Sequence, residues 1–449
     1  MSEYNIREMA IEILLGVKRG GVVTNLINKY SKELNNKELG LLYDLVYGTL
    51  RNRIYIDKII EKYSSIKLKK LDKLTLNALR LGLYQFNFRG EPDYASVDTV
   101  VSVIRDKRRR SFINAILRKV TSTKMKHDDI LPDRNANTIE YLSINYSQQV
   151  EFVRIILESF GSEVAEKVFE YFNKVPFTFI RINKIMTNYQ QVKELFIKYN
   201  INFEKVSNFD DFFYTVGSIK GIFDTDLFKD GYITVIDISQ GIIPMFAKRI
   251  GGRVVGDLCC GLGGKSLYIS ELLGEEAVII SVDNSTEKIF TLNVNITRLG
   301  HKNIFPLCSD IRDLQDEIFD MVILDVPCSN SGNFGRHPEA RYRFSNERLK
   351  ILVDYQMVLL KSAIRLVKRG GYIIYSTCSI VPEECHLLIN SVINGQSDVE
   401  SISVDKDNRF LDILNNADFI LKGNGIYIMP FSFKDVICSS GFLAVLKRK

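Results

Sequence analysis

No apolar run in the sequence approaches the ~20 residues that a bilayer-spanning helix needs. The opening stretch, MSEYNIREMAIEILL, has an acid near its start and amphipathic spacing, which are not the features of a secretion signal. A cytoplasmic protein with no membrane partner is expected. None of the seven cysteines forms a CxxC pair, so no zinc ribbon and no metal centre is indicated. The odd count also argues against a disulfide framework. Some of these thiols are therefore free for chemistry. Histidine is scarce, with four residues at 127, 301, 337 and 386. Only His337 lies in a motif loop, and a structural role suits it as well as a catalytic one.

At 449 residues the chain is too long for one ordinary core, and its apolar (46%) and charged (25%) fractions are those of a globular protein, so two or three domains are expected. The net charge of +6 is unevenly distributed: residues 1–125 hold 24 Lys and Arg against 13 Asp and Glu, and the remainder is acidic. Lys67, Lys69, Lys70 and Lys73 form one basic cluster and Lys107 to Arg110 a second. A single run of this kind is usually a solvated helical face; two in one basic domain suit a phosphate backbone, which makes RNA the expected partner.

Residues 1–125 read as helical, with apolar residues at three- and four-residue spacing in AIEILLGV, LGLLYDLVYGTL and FINAILRKV. Asn35 and Asp72 stand where helix caps are expected, and Gly-Glu-Pro at 90–92 marks a break. With VYGTLRNR at 46–53, LNALRLGLYQF at 76–86 and DYASVDTVV at 93–101, this stretch resembles the NusB-type RNA-binding domain. Residues 126–145 are polar and read as a linker. Residues 146–232 mix helical segments with short β-like runs such as TFIRIN and FFYTV, and resemble a small RRM-like flanking domain, although no aromatic RNP pattern is present. From 233 to 449 strand, loop and helix alternate through RVVGDLCC, AVIISVD, NIFPLCSD, MVILDVPC and GGYIIYSTCS, ending in the pair GIYIMP and GFLAVLKRK. This alternation predicts a doubly wound, mostly parallel, Rossmann-like sheet, with ligands at the carboxyl ends of the strands.

The strand at 253–258 runs into Cys259-Cys260-Gly261-Leu262-Gly263-Gly264-Lys265. Glycines there let a ligand approach the backbone. The next strand ends in Asp283, placed to accept from ribose hydroxyls, and the following one near Asp310, placed to meet an adenine amino group. NAD fits poorly, because GLGGK lacks the GxGxxG spacing, and ATP fits poorly because the Walker pattern is not met. A tight strand-to-helix turn that binds nothing is the alternative.

Asp325-Val326-Pro327-Cys328-Ser329 ends one expected strand, and Ser376-Thr377-Cys378-Ser379 another, followed by Pro382-Glu383-Glu384. A lone cysteine is most often a small buried apolar residue; two at neighbouring strand ends, each in a polar loop, suit that reading less well. Carbon 5 of cytosine is a poor nucleophile. A thiolate that adds to carbon 6 makes an enamine, whose carbon 5 attacks a methyl sulfonium. Lys265 is a positive neighbour that would help to ionise a thiol, and Asp325 is placed to hold the base's N3 and amino edge.

On these motifs the catalytic half resembles the RsmB/Sun family of RNA cytosine-C5 methyltransferases, and GRHPEARYRF at 335–344 matches that family's RHP segment. With a NusB-type domain in front, the resemblance points to the branch that modifies 16S ribosomal RNA. It implies S-adenosyl-L-methionine as cofactor, with contacts at Cys259, Cys260, Gly261, Leu262, Gly263, Gly264, Lys265, Asp283, Asp310 and Asp325. It also implies that Cys378 attacks the base and Cys328 assists product release, and that the substrate is RNA and not DNA, whose cytosine methyltransferases use the PC-type cysteine alone. A monomer is the default expectation. Three positions depart from the family: Cys260-Gly261-Leu262 replaces Ala-Ala-Pro, Ile236 precedes Asp237 in place of Gln, and Cys385 follows PEE in place of Asn. Losing the proline is expected to loosen the cofactor loop. The alternatives are a tRNA substrate, or an RNA-binding factor of antitermination type with a degenerate cofactor site.

Overall fold

Asn35 accepts from the backbone N–H of Lys37 and Glu38, while Glu38 reaches back to the N–H of Asn35. Asp72 accepts from Leu74 and Thr75. These two caps start helices Asn36–Arg51 and Lys73–Arg89, as their sequence positions implied. Gly90, at φ +63°, ends the second helix in the left-handed conformation, which is the physical content of the break at 90–92. The computed structural model describes residues 5–19, 21–123, 125–215 and 220–449. Helices Ile6–Lys18, Val23–Asn28, Arg53–Tyr63, Asp93–Val101 and Lys107–Ser122 complete the basic N-terminal part, around a core that includes Leu42, Leu45, Val46, Ile56, Leu79 and Ile113.

The chain divides into two compact units, Met1–Asn173 with His337–Arg343, and Lys174–Arg336 with Phe344–Lys449. This division differs from the boundaries read in the sequence. Residues 126–145, polar enough to read as a linker, contain helix Thr138–Asn145, capped by Asn137 and burying Leu142 and Ile144. The helical run Val150–Asn173, broken at Gly161, also belongs to the first unit. Polarity concentrated in the HDDILPDRNANT stretch masked the short buried face that follows it.

The segment His337–Arg343 completes the first unit from far along the chain. Arg341 is fully buried and donates to the carbonyl of Arg51 at 3.2 Å, to that of Tyr146 at 3.5 Å, to Asn173 Oδ1 at 2.8 Å, and to the carbonyl of Phe172. One guanidinium thus satisfies carbonyls at the C-terminal ends of three helices, where the helix dipoles favour a cation. Beside it, the Tyr342 hydroxyl donates to Leu50 O at 2.5 Å, and the Arg53 guanidinium lies 4.4 Å from the Tyr342 ring centroid.

The second unit holds two sheets. In the smaller, β1 (Thr178–Ile182), β2 (Glu204–Lys205), β3 (Phe212–Thr215) and β4 (Ile233–Val235) lie antiparallel in the order β2-β3-β1-β4. Both faces are covered: Phe179 and Phe212 share a core with Ile242 and Tyr268, and Ile180, Ile182 and Phe213 share another with Val192 and Phe196. The missing RNP aromatics have this structural counterpart, since the sheet presents no bare face on which bases stack.

The larger sheet contains β5 (Val254–Leu258), β6 (Val278–Asp283), β7 (Ile304–Cys308), β8 (Phe319–Asp325), β9 (Val367–Thr377), β10 (Val399–Ile402), β11 (Ile420–Lys422), β12 (Gly425–Ile428) and β13 (Gly441–Arg448). The order is β11-β12-β13-β9-β8-β5-β6-β7, with β10 also on β13. Strands β5 to β9 pair in parallel, and β13 runs antiparallel to β9 and β12. Helices Gly264–Leu273, Thr286–Arg298 and Asn346–Leu366 stand where the alternating pattern put them. From β5 the chain builds outward through β6 to β7 and then returns to β8 on the other side. The carboxyl ends of β5 and β8 therefore flank a switch point, where open sheets of this kind form their ligand crevice.

Candidate active site

The cofactor-type turn follows β5 directly. Cys259, Gly261 and Gly263 have φ of 61°, 59° and 82°. Gly261 in place of the family's alanine suits that conformation, which costs a side-chain-bearing residue more. Three backbone N–H groups tie the turn: Cys260 N donates to Val282 O at 3.0 Å, Gly261 N to the Asp283 carboxylate Oδ2 at 3.0 Å, and Gly263 N to Cys260 O at 2.9 Å. A Cβ on Gly263 would lie 2.1 Å from Leu292 Cδ1, so helix Gly264–Leu273 starts where only glycine fits.

A cavity of about 370 Å3 opens at the strand ends and is lined by Cys259, Asp283, Asp310, Asp325, Cys328 and Cys378, with an apolar wall from Val282, Ile311 and Leu359. Tyr355 closes one side. The other expected cofactor residues do not line it: Leu262 is exposed, Cys260 packs towards the core, and Lys265 donates to Asp325. Asp283 accepts from Gly261 N, Ser285 N and Lys288 Nζ. Asp310 accepts from Arg312, whose hydrogen bonds hold its carboxyl below the usual range. Burial, reinforced by the nearby aspartates, pushes the Cys259 thiol up to about 12, so it remains protonated at neutral pH. The four histidines lie elsewhere: His301 Nδ1 is 2.8 Å from Ser270 Oγ, His386 Nδ1 is 2.6 Å from the Tyr427 hydroxyl, His127 stacks on Tyr55, and His337 faces Glu339.

At one end of the cavity Cys328 and Cys378 meet with their sulfurs 2.7 Å apart, and Cys378 Sγ lies 3.3 Å from Asn330 Oδ1. Asp325 takes the Lys265 ammonium on Oδ2 at 2.6 Å and the Ser376 hydroxyl on Oδ1 at 3.0 Å. Burial alone would lower the Lys265 pKa, but the charge and hydrogen bond of Asp325, joined by Asp257 and Cys378, more than reverse this, so the lysine is firmly an ammonium. Lys265 gives its hydrogen bond to Asp325, while its charge also interacts with Cys378, the thiol beside which the sequence placed it. The hydrogen bond with Cys328, and then burial, push the Cys378 thiol well above its ordinary value.

Three contributors to the site were given no role in the sequence reading. Asp257, fully buried near the end of β5, accepts from Ser266 Oγ at 2.5 Å, and burial raises its pKa to about 6. Glu384, also fully buried, accepts from Ser329 N and Ser329 Oγ. Asp237 accepts from Arg336 at 2.6 Å and from Ser439, fixing the start of the RHP segment. The partners of Glu384 and Asp237 are remote in sequence, and the full burial of Asp257 has no local signature. Cys385, where the family has Asn, is buried and points its thiol at Ser379 O.

The sheet order and the crevice at its switch point are those of a Rossmann-like methyltransferase. Residues 249–419 match the family described as 16S rRNA methyltransferase RsmB/F, and residues 4–122 match the NusB family. A probable ribosomal RNA small subunit methyltransferase B of Bacillus subtilis (strain 168) is 27% identical over 419 residues, covering 90% of this chain and 92% of its own length. The ribosomal RNA small subunit methyltransferase B of Escherichia coli O6:K15:H31 is 26% identical, covering 89% and 92%. The solved structure of PH0851 superposes with a TM-score of 0.78 at 22% identity, over 99% of this chain and 98% of that one. The catalytic part of the chain belongs to the RsmB/F methyltransferases and the helical part to the NusB family. The protein is an enzyme whose cofactor is S-adenosyl-L-methionine. The cavity fits that cofactor, with acids at the ends of β6 and β7, an apolar wall for an aromatic base, and the thiols at the far end.

Proposed function

We propose that this enzyme methylates carbon 5 of a cytosine in 16S rRNA, with Cys378 adding to carbon 6 of the base and Cys328 assisting release. The contact between the two sulfurs, beside the Asp325–Lys265 pair, carries the reading. Asp325, fixed by Lys265 and Ser376, would hold the N3 and amino edge of the base and so orient carbon 6 towards Cys378. The Cys378 proton passes to solvent as its sulfur bonds to carbon 6, and the electron pair displaced from the C5–C6 double bond makes carbon 5 nucleophilic. When bound, S-adenosyl-L-methionine supplies an electrophilic methyl group to that carbon, and Cys259, Asp283, Asp310 and Asp325 would line its site. The target base must leave any stack to reach the cavity.

Lys67, Lys69, Lys70 and Lys73 are exposed, as are Lys107 to Arg110. Arg109 Nε lies 3.4 Å from Asp72 Oδ2, which brings the two basic runs onto one surface of the helical unit. That surface suits the phosphate backbone of the substrate. The reading takes the protein as a cytoplasmic monomer acting on RNA; the second cysteine favours RNA over DNA.

The test is incubation of purified protein with labelled S-adenosyl-L-methionine and unmethylated 16S rRNA, with a tRNA pool in parallel, followed by bisulfite mapping. One methylated cytosine in 16S rRNA is expected. Label confined to tRNA would replace the substrate, and full activity from Cys378→Ala would remove the mechanism. Cys328→Ala is expected to trap a protein–RNA adduct that survives a denaturing gel.

A further inference from the structure

Glu384 is a carboxylate with no exposed surface, in the short turn Pro382–Glu384 that follows Cys378. Burying such a group is costly unless its acceptor positions are filled. Here they are filled from one side of the site. Ser329 N donates at 2.7 Å, Ser329 Oγ at 2.5 Å, and Gln356 Nε2 at 2.9 Å. The same Gln356 amide also donates to Pro327 O at 2.9 Å. The residues on either side of Cys328 are thus both fastened to one carboxylate, one directly and one through Gln356. On its other side, Glu384 is anchored to the strand that leads to Cys378, because the Tyr375 hydroxyl of β9 donates to Glu384 O at 2.7 Å. Ser329 Oγ also lies 3.3 Å from the hydroxyl of Ser379, the neighbour of Cys378.

We infer that Glu384 is a positioning residue that clasps the two cysteine loops and holds the Cys328 sulfur against that of Cys378. The inference rests on the reading of Cys328 as the thiol that assists release. Asp325 and Cys378 are carried at or beside the ends of β8 and β9 and are placed by strand pairing. Cys328 lies three residues beyond β8, in a loop fastened by this clasp. In the release step the carbon-5 proton goes to solvent and its electron pair restores the C5–C6 double bond. The C6–S bond breaks with its electrons on the Cys378 sulfur, and that sulfur takes a proton from the Cys328 thiol in contact with it; a proton from solvent then restores the Cys328 thiol. Losing the clasp slows this step while leaving addition and methyl transfer in place.

The experiment compares Glu384→Ala, Glu384→Gln, Ser329→Ala and Cys328→Ala with the parent, using two readouts. The first is methyl transfer in single and multiple turnover, together with adduct on a denaturing gel. Glu384→Ala is expected to lose about 10–100-fold in multiple turnover while accumulating adduct. Glu384→Gln, whose Oε1 can still accept from Ser329 N, restores most of the loss. Ser329→Ala removes one hydroxyl from a half-buried site and guards against misfolding of Glu384→Ala; it is expected to accumulate adduct to a smaller extent. The second readout needs no RNA: cross-linking of Cys328 to Cys378 by dibromobimane, located by peptide mass. The parent cross-links, and Glu384→Ala cross-links at least several-fold more slowly.

Parent-like cross-linking by folded Glu384→Ala overturns the inference whatever the RNA shows. So does Glu384→Ala turnover without adduct when Cys328→Ala traps it. If Cys328→Ala traps nothing, the release reading fails by itself, and slowed cross-linking in Glu384→Ala still supports the clasp.

Discussion

Asp325 stands between Lys265 and Ser376, with the ammonium on one carboxylate oxygen at 2.6 Å and the hydroxyl on the other at 3.0 Å. The charge pair fixes the acid's rotamer at the mouth of the thiol end. Lys265→Met should therefore free Asp325 to turn, and transfer in single turnover should fall by about 10²–10³-fold, the scale for loss of one preorganised polar contact. Asp325→Asn should fall by a similar factor. Near-parent rates from either variant would mean that the pair is structural.

The Cys378 thiol is raised chiefly by its hydrogen bond with Cys328 and then by burial. A raised thiol pKa means that the reactive thiolate is a small fraction at neutral pH and grows about tenfold per pH unit. Iodoacetamide alkylation of Cys378 in the free protein should rise with that slope from pH 7 to 9. In Cys328→Ala the largest cause is gone, and the profile should move to lower pH. A flat profile in the parent would contradict the geometry.

Asp257 is buried beneath the cofactor turn with a pKa raised to about 6. The sign follows from linkage: its folded value lies above the ordinary carboxylate value, so the folded state holds the extra proton between them. Its contribution to stability is fully present below pH 4 and is lost as pH rises through 6. Asp257→Asn should consequently be more stable than the parent at pH 7.5, by about 2–3 kcal/mol, and indistinguishable from it near pH 4. Denaturant titrations of both proteins across that range would show it; a constant difference would refute it.

Two adjacent glycines should behave differently. At Gly263 an added Cβ meets Leu292 at 2.1 Å and φ is +82°, whereas at Gly264 the nearest atom is Ile236 Cδ1 at 3.6 Å. Gly263→Ala should cost about 2 kcal/mol or more through strain and displacement of the turn, and should weaken binding of the cofactor measured by calorimetry. Gly264→Ala should fold with parent-like stability. Equal effects at the two positions would mean that the turn tolerates rearrangement.

The sequence was most informative where chemistry and periodicity coincide. Alternating apolar runs located β5 to β9, and the residues at their ends, Asp283, Asp325, Cys328 and Cys378, came together because parallel strands deliver their carboxyl ends to one edge. Asn35, Asp72 and Gly90 were legible because capping is local. Glu384 and Asp257 were not, since a buried carboxylate has no signature apart from its partners, and Ser329 lies 55 residues from Glu384. The state of the Cys378 thiol was also out of reach: Lys265 was visible as a nearby charge, but its commitment to Asp325 was not. Residues 126–145 read as a linker because eight helical residues after a polar loop give too short a pattern to reveal a buried face.

Arg341 gives the helical unit a biosynthetic history of its own. The ends of helices Asn36–Arg51, Thr138–Asn145 and Val150–Asn173 all emerge from the ribosome long before the guanidinium that satisfies their carbonyls. The N-terminal unit therefore matures only after translation has passed through β5 to β8 and reached residue 343. A fragment that stops at Asn173 lacks part of its own interior, and a catalytic fragment begun after Asn173 carries an orphaned seven-residue insert.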